Sequence, residues 1–281
     1  MKWVGFCLLL LLLPLCLVMV LNEANHLEVT HHPIAGTPGT APRLRIAQIS
    51  DLHLVGGAAV EEAVVREVNA APPDLLVLTG DMVDRRERLS ALDAFLGQLE
   101  TFSDKWAVLG NHEYWSGLNL QALRRIYAKH RVNLLVNEAT LLNRAQGQLL
   151  LVGLDDARGG RPDWNKAIRA HAAWRGAILV LAHNPNTAGN YGMPARPPGN
   201  GLILSGHTHG GQIVLFGMAV DMDARNAQGV AGWQQVGGWR LYISRGVGTS
   251  IIPVRLGARP ELALFEWDYQ TNPTQPLNIG Q

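Results

Sequence analysis

Residues 201–212 read Gly-Leu-Ile-Leu-Ser-Gly-His-Thr-His-Gly-Gly-Gln, an apolar run followed by two histidines with one residue between them. The run from Gly201 to Leu204 predicts a buried strand. In an extended segment residues i and i+2 project to the same side, so His207 and His209 can reach one point in space. An isolated pair of this kind could equally be two surface histidines in a turn. The rest of the chain distinguishes these readings.

The same arrangement, an apolar strand that ends in polar side chains, occurs four more times before this stretch. The alternation of strand, polar tip and helix predicts an α/β domain with its functional residues at the carboxyl ends of the strands. These strands are predicted at 43–50, 74–79, 106–109 and 177–182, and helices at 59–70, 89–102 and 120–130.

The second half of the chain is richer in strands. The pattern there predicts strands at 149–154, 213–216, 239–244 and 262–267 and a short helix at 163–174. We expect the last three of these strands to belong to a second sheet. The predicted fold class is therefore mixed α/β (α+β), with two sheets and helices outside them.

Every strand tip carries a side chain that can bind a metal ion. These residues are Asp51 and His53, Asp81, Asn111 and His112, His183, and His207 and His209. A lone aspartate after a strand is usually a helix N-cap, but five such tips in order fit one shared metal centre better. The two cysteines, Cys7 and Cys16, lie in the apolar N-terminus. A ligand set of histidine, asparagine and carboxylate suits Mn, Fe, Zn or Ni.

The N-terminus predicts a membrane anchor. Residues 3–21 form an uncharged apolar run of about the length that spans a bilayer as a helix. Lys2 precedes the run, and no Lys or Arg follows it until Arg43, which favours an extracytoplasmic domain on a single-pass protein of the bacterial inner membrane. A cleaved signal peptide is the alternative.

The remaining boundaries follow from composition. Residues 22–42 are polar and rich in Pro and Gly, which is typical of a linker. The domain is predicted over 43–270 and a loose tail over 271–281. The 24 Lys and Arg residues nearly balance the 23 Asp and Glu residues, so nothing indicates a nucleic acid partner. We expect a monomer.

The tips resemble, in order, the sequence blocks of the calcineurin-like metallophosphoesterase superfamily. The blocks are Asp51-x-His53, Gly80-Asp81, Gly110-Asn111-His112-Glu113, His183 and Gly206-His207-x-His209. The resemblance runs from about Arg43 to Trp267, and segments 205–212 and 244–250 resemble its membrane-associated bacterial phosphodiesterase branch. It implies a four-layer α-β-β-α sandwich of two mixed sheets, and the apolar run at 3–21 predicts one transmembrane helix before it.

The resemblance also implies a role for each matching residue. Asp51, His53 and His209 would hold one divalent metal ion, Asn111, His183 and His207 would hold a second, and Asp81 would bridge both. Two cations about 3.5–4 Å apart lower the pKa of a bridging water, which attacks phosphorus in line, and they clamp the phosphoryl oxygens.

Two further residues are candidates for contact with the substrate. His112 follows a ligand directly and is the candidate to protonate the leaving alkoxide or to stabilise phosphoryl charge; alternatively, it only orients Asp81. Arg245 could touch a substrate phosphate, although an arginine in such a position is more often part of a structural ion pair.

These expectations define the predicted function. The chain is predicted to be a membrane-attached phosphodiesterase with two metal ions, acting on a small-molecule or lipid-linked phosphoester. One alternative is a UDP-2,3-diacylglucosamine pyrophosphatase of lipid A synthesis, which needs a cytoplasmic site. Another is a scaffold that binds metal without turnover, which the complete set of blocks disfavours.

Overall fold

The computed structural model describes residues 23–34, 43–99, 104–219 and 228–269, and within these ranges two six-stranded sheets face each other. The first sheet has the strand order β1-β14-β2-β3-β4-β5. Its strands are β1 (Glu28–Ile34), β2 (Leu44–Ile49), β3 (Leu75–Thr79), β4 (Asp104–Val108), β5 (Val132–Leu134) and β14 (Glu261–Trp267). Strands β2 to β5 are parallel, and β14 runs antiparallel to β2.

The second sheet has the order β12-β13-β9-β8-β7-β6, with β7, β8, β9 and β13 parallel. Its strands are β6 (Glu138–Arg144), β7 (Gly147–Gly153), β8 (Ala177–Leu181), β9 (Gly201–Ser205), β12 (Gly232–Val236) and β13 (Trp239–Ile243). A separate hairpin pairs β10 (Val214–Leu215) with β11 (Met218–Ala219).

Helices cover the first sheet more completely than the second. The α-helices are α1 (Ala59–Ala70), α2 (Leu89–Gln98), α3 (Asn111–Trp115), α4 (Leu120–Lys129) and α5 (Trp164–Ala167), and the 3-10 turns are Arg86–Arg88, Arg169–His171, Pro185–Thr187 and His209–Gly211. Apolar side chains of α1, α2 and α4 pack on one face of the first sheet. On the outer face of the second sheet, the four residues of α5 and neighbouring loops take that place.

The space between the sheets is filled by the alternate side chains of the central strands, such as Val77 on one side and Leu179 on the other. Because both faces of these strands are covered, they read in sequence as continuous apolar runs. The predicted arrangement of two mixed sheets with helices outside is confirmed, although the outer layer of the second sheet is thin.

Three sequence-based assignments were wrong in detail. The strand predicted at 262–267 belongs to the first sheet, between β1 and β2, and not to the second. The strand predicted at 213–216 forms the small β10–β11 hairpin instead. The helix predicted at 163–174 is α for four residues only, after which bonds such as His171 N–H to the Ile168 carbonyl continue it as a 3-10 turn.

Part of the predicted linker is also a strand. Residues 28–34 pair in parallel with β14 along its whole length. Pro33 is compatible with this because β1 is an edge strand, where a missing N–H costs no ladder bond. The predicted anchor at 1–21 and tail at 271–281 lie outside the described residues. Among the residues that are described, no helix is both long and apolar enough to cross a bilayer.

Candidate metal centre

The seven predicted metal ligands converge at one end of the two sheets. Each follows a parallel strand, and parallel neighbours end at the same edge. The first sheet contributes Asp51 and His53 after β2, Asp81 after β3 and Asn111 after β4, and the second contributes His183 after β8 and His207 and His209 after β9. The site is therefore assembled across the interface between the sheets.

A first cluster consists of Asp51, His53 and His209, whose ligand atoms all lie within 4.8 Å of one another. The Nε2 atoms of the two histidines are 3.1 Å apart, and His209 Nε2 lies 3.5 Å from Asp51 Oδ1. The carboxylate is held by the Ser50 hydroxyl at 2.5 Å and by the His207 N–H at 3.0 Å. The three residues match the predicted ligand set of one metal ion.

A second cluster surrounds His183. Its Nε2 lies 3.2 Å from Asp81 Oδ2, 3.2 Å from Asn111 Oδ1 and 3.2 Å from His207 Nδ1. Its Nδ1 lies 2.8 Å from the Thr79 carbonyl oxygen and donates to it. Burial opposes a charge on this ring, but the neighbouring Asp81 and Asp51 outweigh it and raise the pKa of His183 well above its usual value. The ring therefore holds a proton on Nε2, which faces two acceptor oxygens and which a metal ion bound there would replace. A cation between these atoms satisfies all of them, so the residues fit a metal ion.

Asp81 lies between the two clusters. Its Oδ2 is 3.2 Å from His183 Nε2 in the second cluster and 3.8 Å from His53 Nε2 in the first. Its Oδ1 accepts the His112 backbone N–H at 2.8 Å, which fixes the orientation of the carboxylate. This is the position that the bridging role predicted for Asp81 requires.

Burial determines the charge of these groups. It lowers the pKa of His53 to about 4, and burial together with the neighbouring His53 lowers the pKa of His209 well below its usual value. Both rings are therefore neutral near pH 7 and can offer a lone pair. Burial opposes ionisation of Asp81, but the adjacent His183 outweighs it and lowers the pKa of that carboxyl.

The backbone at these residues is strained. Five of the seven predicted ligands have left-handed conformations, namely Asp51 (φ 50°), His53 (φ 42°), Asp81 (φ 53°), His207 (φ 75°) and His209 (φ 52°). Each such residue costs on the order of 1–2 kcal/mol, and strain of this kind concentrates at functional sites. No sequence pattern indicated it.

One glycine is required by close packing against the site. A Cβ at Gly206 would lie 1.9 Å from Ser50 Oγ and 2.2 Å from Asp51 Oδ2. The absence of a side chain at this position lets the His207–His209 segment come against the tip of β2. The spacing of the two histidines then places them in different clusters, one on each side of Asp81.

Glu113 organises the site without being among the predicted ligands. One carboxylate oxygen accepts the backbone N–H groups of Asp81 (3.0 Å) and Gly110 (2.7 Å), and the other accepts that of Met82 (2.7 Å). Burial and the neighbouring Asp81 raise its pKa to about 7. A glutamate three residues after a helix N-cap is the signal that could have identified it.

The surroundings of His112 separate its two predicted roles. Its backbone N–H, and not its ring, holds Asp81. The ring lies 4.7 Å from the His53 ring and 5.5 Å from the Trp115 ring, and it lines the cleft above the clusters. It is close enough to join a group with His53 and Asp81. The imidazole thus faces the space that a substrate would occupy.

That cleft has a volume of about 230 Å³. It is lined by Asp81, Asn111, His112, Trp115, Arg158, His207, Thr208, His209, Gln212, Ser250 and Ile251. Sequence reasoning missed Arg158, which lies in the loop that follows β7. Asp156 accepts the backbone N–H groups of Arg158 (2.7 Å) and Gly159 (2.6 Å), while Asp155 accepts that of Arg161 (2.9 Å). The two aspartates that had no predicted role therefore shape this loop.

The prediction for Arg245 is not supported. Its Nη2 lies 2.9 Å from Glu28 Oε2 and 3.4 Å from Glu261 Oε1, and its backbone N–H also donates to Glu261. The residues that line the cleft do not include it. The buried carboxylate of Glu261 on β14 binds the guanidinium, which agrees with the alternative of a structural ion pair.

Comparison with known proteins agrees with this geometry. Residues 44–211 match the family model described as calcineurin-like phosphoesterase. The chain is 29% identical over 253 residues to the uncharacterized metallophosphoesterase YkuE of Bacillus subtilis (86% of each chain). It is 31% identical over 252 residues to the phosphodiesterase YaeI of Escherichia coli (87% of this chain and 89% of YaeI).

A third relative is longer. The chain is 32% identical over 271 residues to a bovine transmembrane protein with a metallophosphoesterase domain, and the match covers 88% of this chain and 59% of the bovine protein. The predicted family is confirmed by the family model and by these relatives. The chain belongs to the calcineurin-like phosphoesterases and is a metal-dependent phosphoester hydrolase.

Proposed function

We propose that this protein is a phosphodiesterase that uses two divalent metal ions. The observation that carries the proposal is the division of seven ligand side chains into two clusters that share Asp81. Asp51, His53 and His209 would hold one ion, and Asn111, His183 and His207 the other. Ions bound there supply a nucleophilic water at neutral pH and neutralise charge on the phosphoryl oxygens.

The protein's own side chains provide the remaining chemistry. The His112 ring faces the cleft, where it can give a proton to the alkoxide that leaves phosphorus. The Arg158 guanidinium on the same wall can pair with a phosphoryl oxygen that the metals do not hold. Glu113 keeps the tips of β3 and β4 in register, so that Asp81 and Asn111 would reach the same ion.

The lining of the cleft supports a diester as the substrate. Trp115 and Ile251 add apolar surface beside the polar ligands. A phosphodiester carries a substituent on each side of phosphorus, and such surface can accept the one that does not leave. The similarity to YaeI, which is named a phosphodiesterase, agrees with this choice.

Removal and restoration of metal tests the proposal. Protein stripped with EDTA and dialysed should not hydrolyse bis-p-nitrophenyl phosphate, and Mn²⁺ or another transition metal should restore activity. The same preparation should be much less active on the monoester p-nitrophenyl phosphate. Full diesterase activity in EDTA would contradict the metal requirement, and a preference for the monoester would contradict the substrate class.

The membrane attachment through residues 3–21 is part of the same proposal. It is supported by the uncharged apolar run and by the names of the bovine and zebrafish relatives, which are called transmembrane proteins. With Lys2 on the cytoplasmic side, the domain would lie outside the cytoplasm. A topology reporter fused after Gln281 should report an extracytoplasmic location, and a cytoplasmic signal would overturn the orientation.

A further inference from the structure

Large apolar side chains are exposed beside the metal cleft. Phe216 is 99% exposed, Ile251 83% and Met218 70%, and Leu215 and Ile252 are also exposed. They lie at the tip of the β10–β11 hairpin and in the loop at 251–252. We refer to these five residues as the apolar rim. Side chains this exposed contribute little to the core of the domain, so folding does not explain why they are apolar.

The backbone conformation at Phe216 and Ile251 is also unfavourable for an apolar side chain of this kind. Phe216 (φ 53°) and Gly217 (φ 78°) are the central residues of a two-residue hairpin, in which positive φ at both positions favours Asn-Gly. Ile251 is β-branched and has φ 65°, a conformation that such residues rarely adopt. A polar residue would suit either backbone better. Their apolar character therefore indicates contact with something outside the domain.

The rim is joined to the cleft by Gln212. The Gln212 side chain donates to the carbonyls of Ser250 (3.1 Å) and Ile252 (2.9 Å) and accepts the Ser250 N–H at 2.9 Å. Gln212, Ser250 and Ile251 all line the cleft. The hairpin and the loop therefore form one unit at its mouth, and whatever covers the rim also lies beside the metal centre.

The rim also lies close to the point where the N-terminal apolar run joins the domain. The Gly257 N–H donates to Glu23 Oε1 at 3.0 Å, and the Val214 N–H donates to the carbonyl of Leu256 at 2.6 Å. A single residue, Asn22, separates Glu23 from the apolar run in sequence. The first described residue after the predicted membrane segment thus lies at the base of the hairpin that carries Phe216.

We propose that the apolar rim inserts into the bilayer surface that residues 3–21 enter, so that the metal cleft opens at the lipid headgroups. The position of Glu23, which closely follows the apolar run in sequence, is what identifies a bilayer as the occupant. Protruding apolar side chains on a hairpin tip suit the boundary between headgroups and acyl chains. In combination with the proposed function, this defines the substrate class as amphiphilic phosphoesters, whose acyl chains stay in the bilayer while the phosphate enters the cleft.

Fluorescence from two matched positions tests the insertion on the full chain. With Cys7 and Cys16 replaced by alanine, a single cysteine is introduced by F216C or, as the control, by A145C in the exposed turn at the opposite end of the second sheet. Each variant carries an environment-sensitive fluorophore in phosphatidylcholine vesicles. Brominated acyl chains should quench the label at position 216 and leave that at 145 unchanged.

Two results would overturn the proposal. Equal and weak quenching at the two positions would show that the rim stays in water. A blue shift at position 216 that grows with the protein-to-lipid ratio and occurs without quenching would identify a second copy of the chain as the occupant. Neither result depends on catalytic activity, so this experiment remains informative if the proposed function fails.

The variant F216N tests the consequence for the substrate. Asparagine suits the left-handed turn, so the thermal midpoint should stay the same or rise. Hydrolysis of bis-p-nitrophenyl phosphate should not change. Hydrolysis of a phosphodiester with acyl chains in phosphatidylcholine vesicles should fall about ten-fold, as expected when one buried aromatic side chain is lost. Equal activity of F216N and wild type on both substrates would overturn the link between rim and substrate class.

Discussion

The two sheets contribute differently to the metal centre. The first sheet supplies both carboxylates and the amide, from Asp51, Asp81 and Asn111, together with one imidazole, that of His53. The second supplies imidazoles only, from His183, His207 and His209. The negative charge that attracts divalent cations thus comes entirely from the first sheet. Cation binding should depend more on the first sheet than on the second.

The two sheets also differ in the helices and loops that surround them. The first sheet is covered by α1, α2 and α4. The connections of the second sheet are longer and carry Arg158, Gln212 and the apolar rim. The first sheet thus carries the acidic candidate ligands. The second half of the chain provides most of the residues that line the cleft.

The largest effect should come from removing the shared carboxylate. Because Asp81 lies between both clusters, Asp81→Ala should lose both metals and reduce turnover by roughly a thousand-fold or more. His207→Ala removes a neutral ligand from one cluster and should lose a single metal. Metal content per chain, measured by mass spectrometry, tests this comparison. Equal metal loss in both variants would contradict the division between the sheets.

His112→Ala should separate metal binding from catalysis. The ring faces the cleft, whereas the backbone N–H that holds Asp81 is kept in this variant. Both metals should remain, and turnover should fall about 10²- to 10⁴-fold. His31→Ala, at an exposed position of β1, is the matched control and should change neither quantity. Loss of metal in His112→Ala would make this histidine a ligand or a structural residue.

Two arginines test which side chains contact the substrate. Arg158→Ala should raise KM for a diester about ten- to a hundred-fold, since a hydrogen bond to a charged group contributes about 1.5–3 kcal/mol. Arg245→Ala breaks only the ion pairs with Glu28 and Glu261 and should leave KM unchanged. Steady-state kinetics on both variants decide the matter. A raised KM in Arg245→Ala would restore its predicted contact with the substrate.

The smallest effect, on the free energy of unfolding, should come from a contact between the first and second halves of the chain. The Tyr114 hydroxyl on α3 donates to Asp155 Oδ1, beyond β7, at 2.5 Å. Burial and this bond raise the pKa of Tyr114 above its usual value, so it stays a donor at ordinary pH. Tyr114→Phe should lower the free energy of unfolding by about 1.5 kcal/mol in urea titrations. Tyr191→Phe, at an exposed position, should show no loss.

The convergence of the candidate ligands was predictable from sequence because of a simple geometric fact. Parallel strands end at one edge, so polar residues that follow apolar runs meet there, whatever the order of the strands. The order itself was not predictable. The alternation in 262–267 shows that a strand forms but not which strand it pairs with, and its place beside β2 depends on packing between distant segments.

Other features were hidden for local reasons. β1 contains Pro33 and adjacent histidines, a composition typical of a linker, and only an edge position makes it compatible with a strand. Arg158 lies in an irregular loop, whose path depends on the side chains of Asp155 and Asp156. The left-handed backbone at the ligands depends on tertiary contacts, such as the Asp51 N–H to the Gly80 carbonyl.

The early start of β1 has a consequence for how such an enzyme would find its substrate. Six residues, 22–27, separate the apolar run from this strand, and even fully extended they reach only about 20 Å. A domain held to the membrane by so short a linker cannot sample the surrounding solution. If residues 3–21 anchor the chain, its search for substrate is lateral diffusion in two dimensions, and the surface density of substrate, not its bulk concentration, would set the rate of encounter.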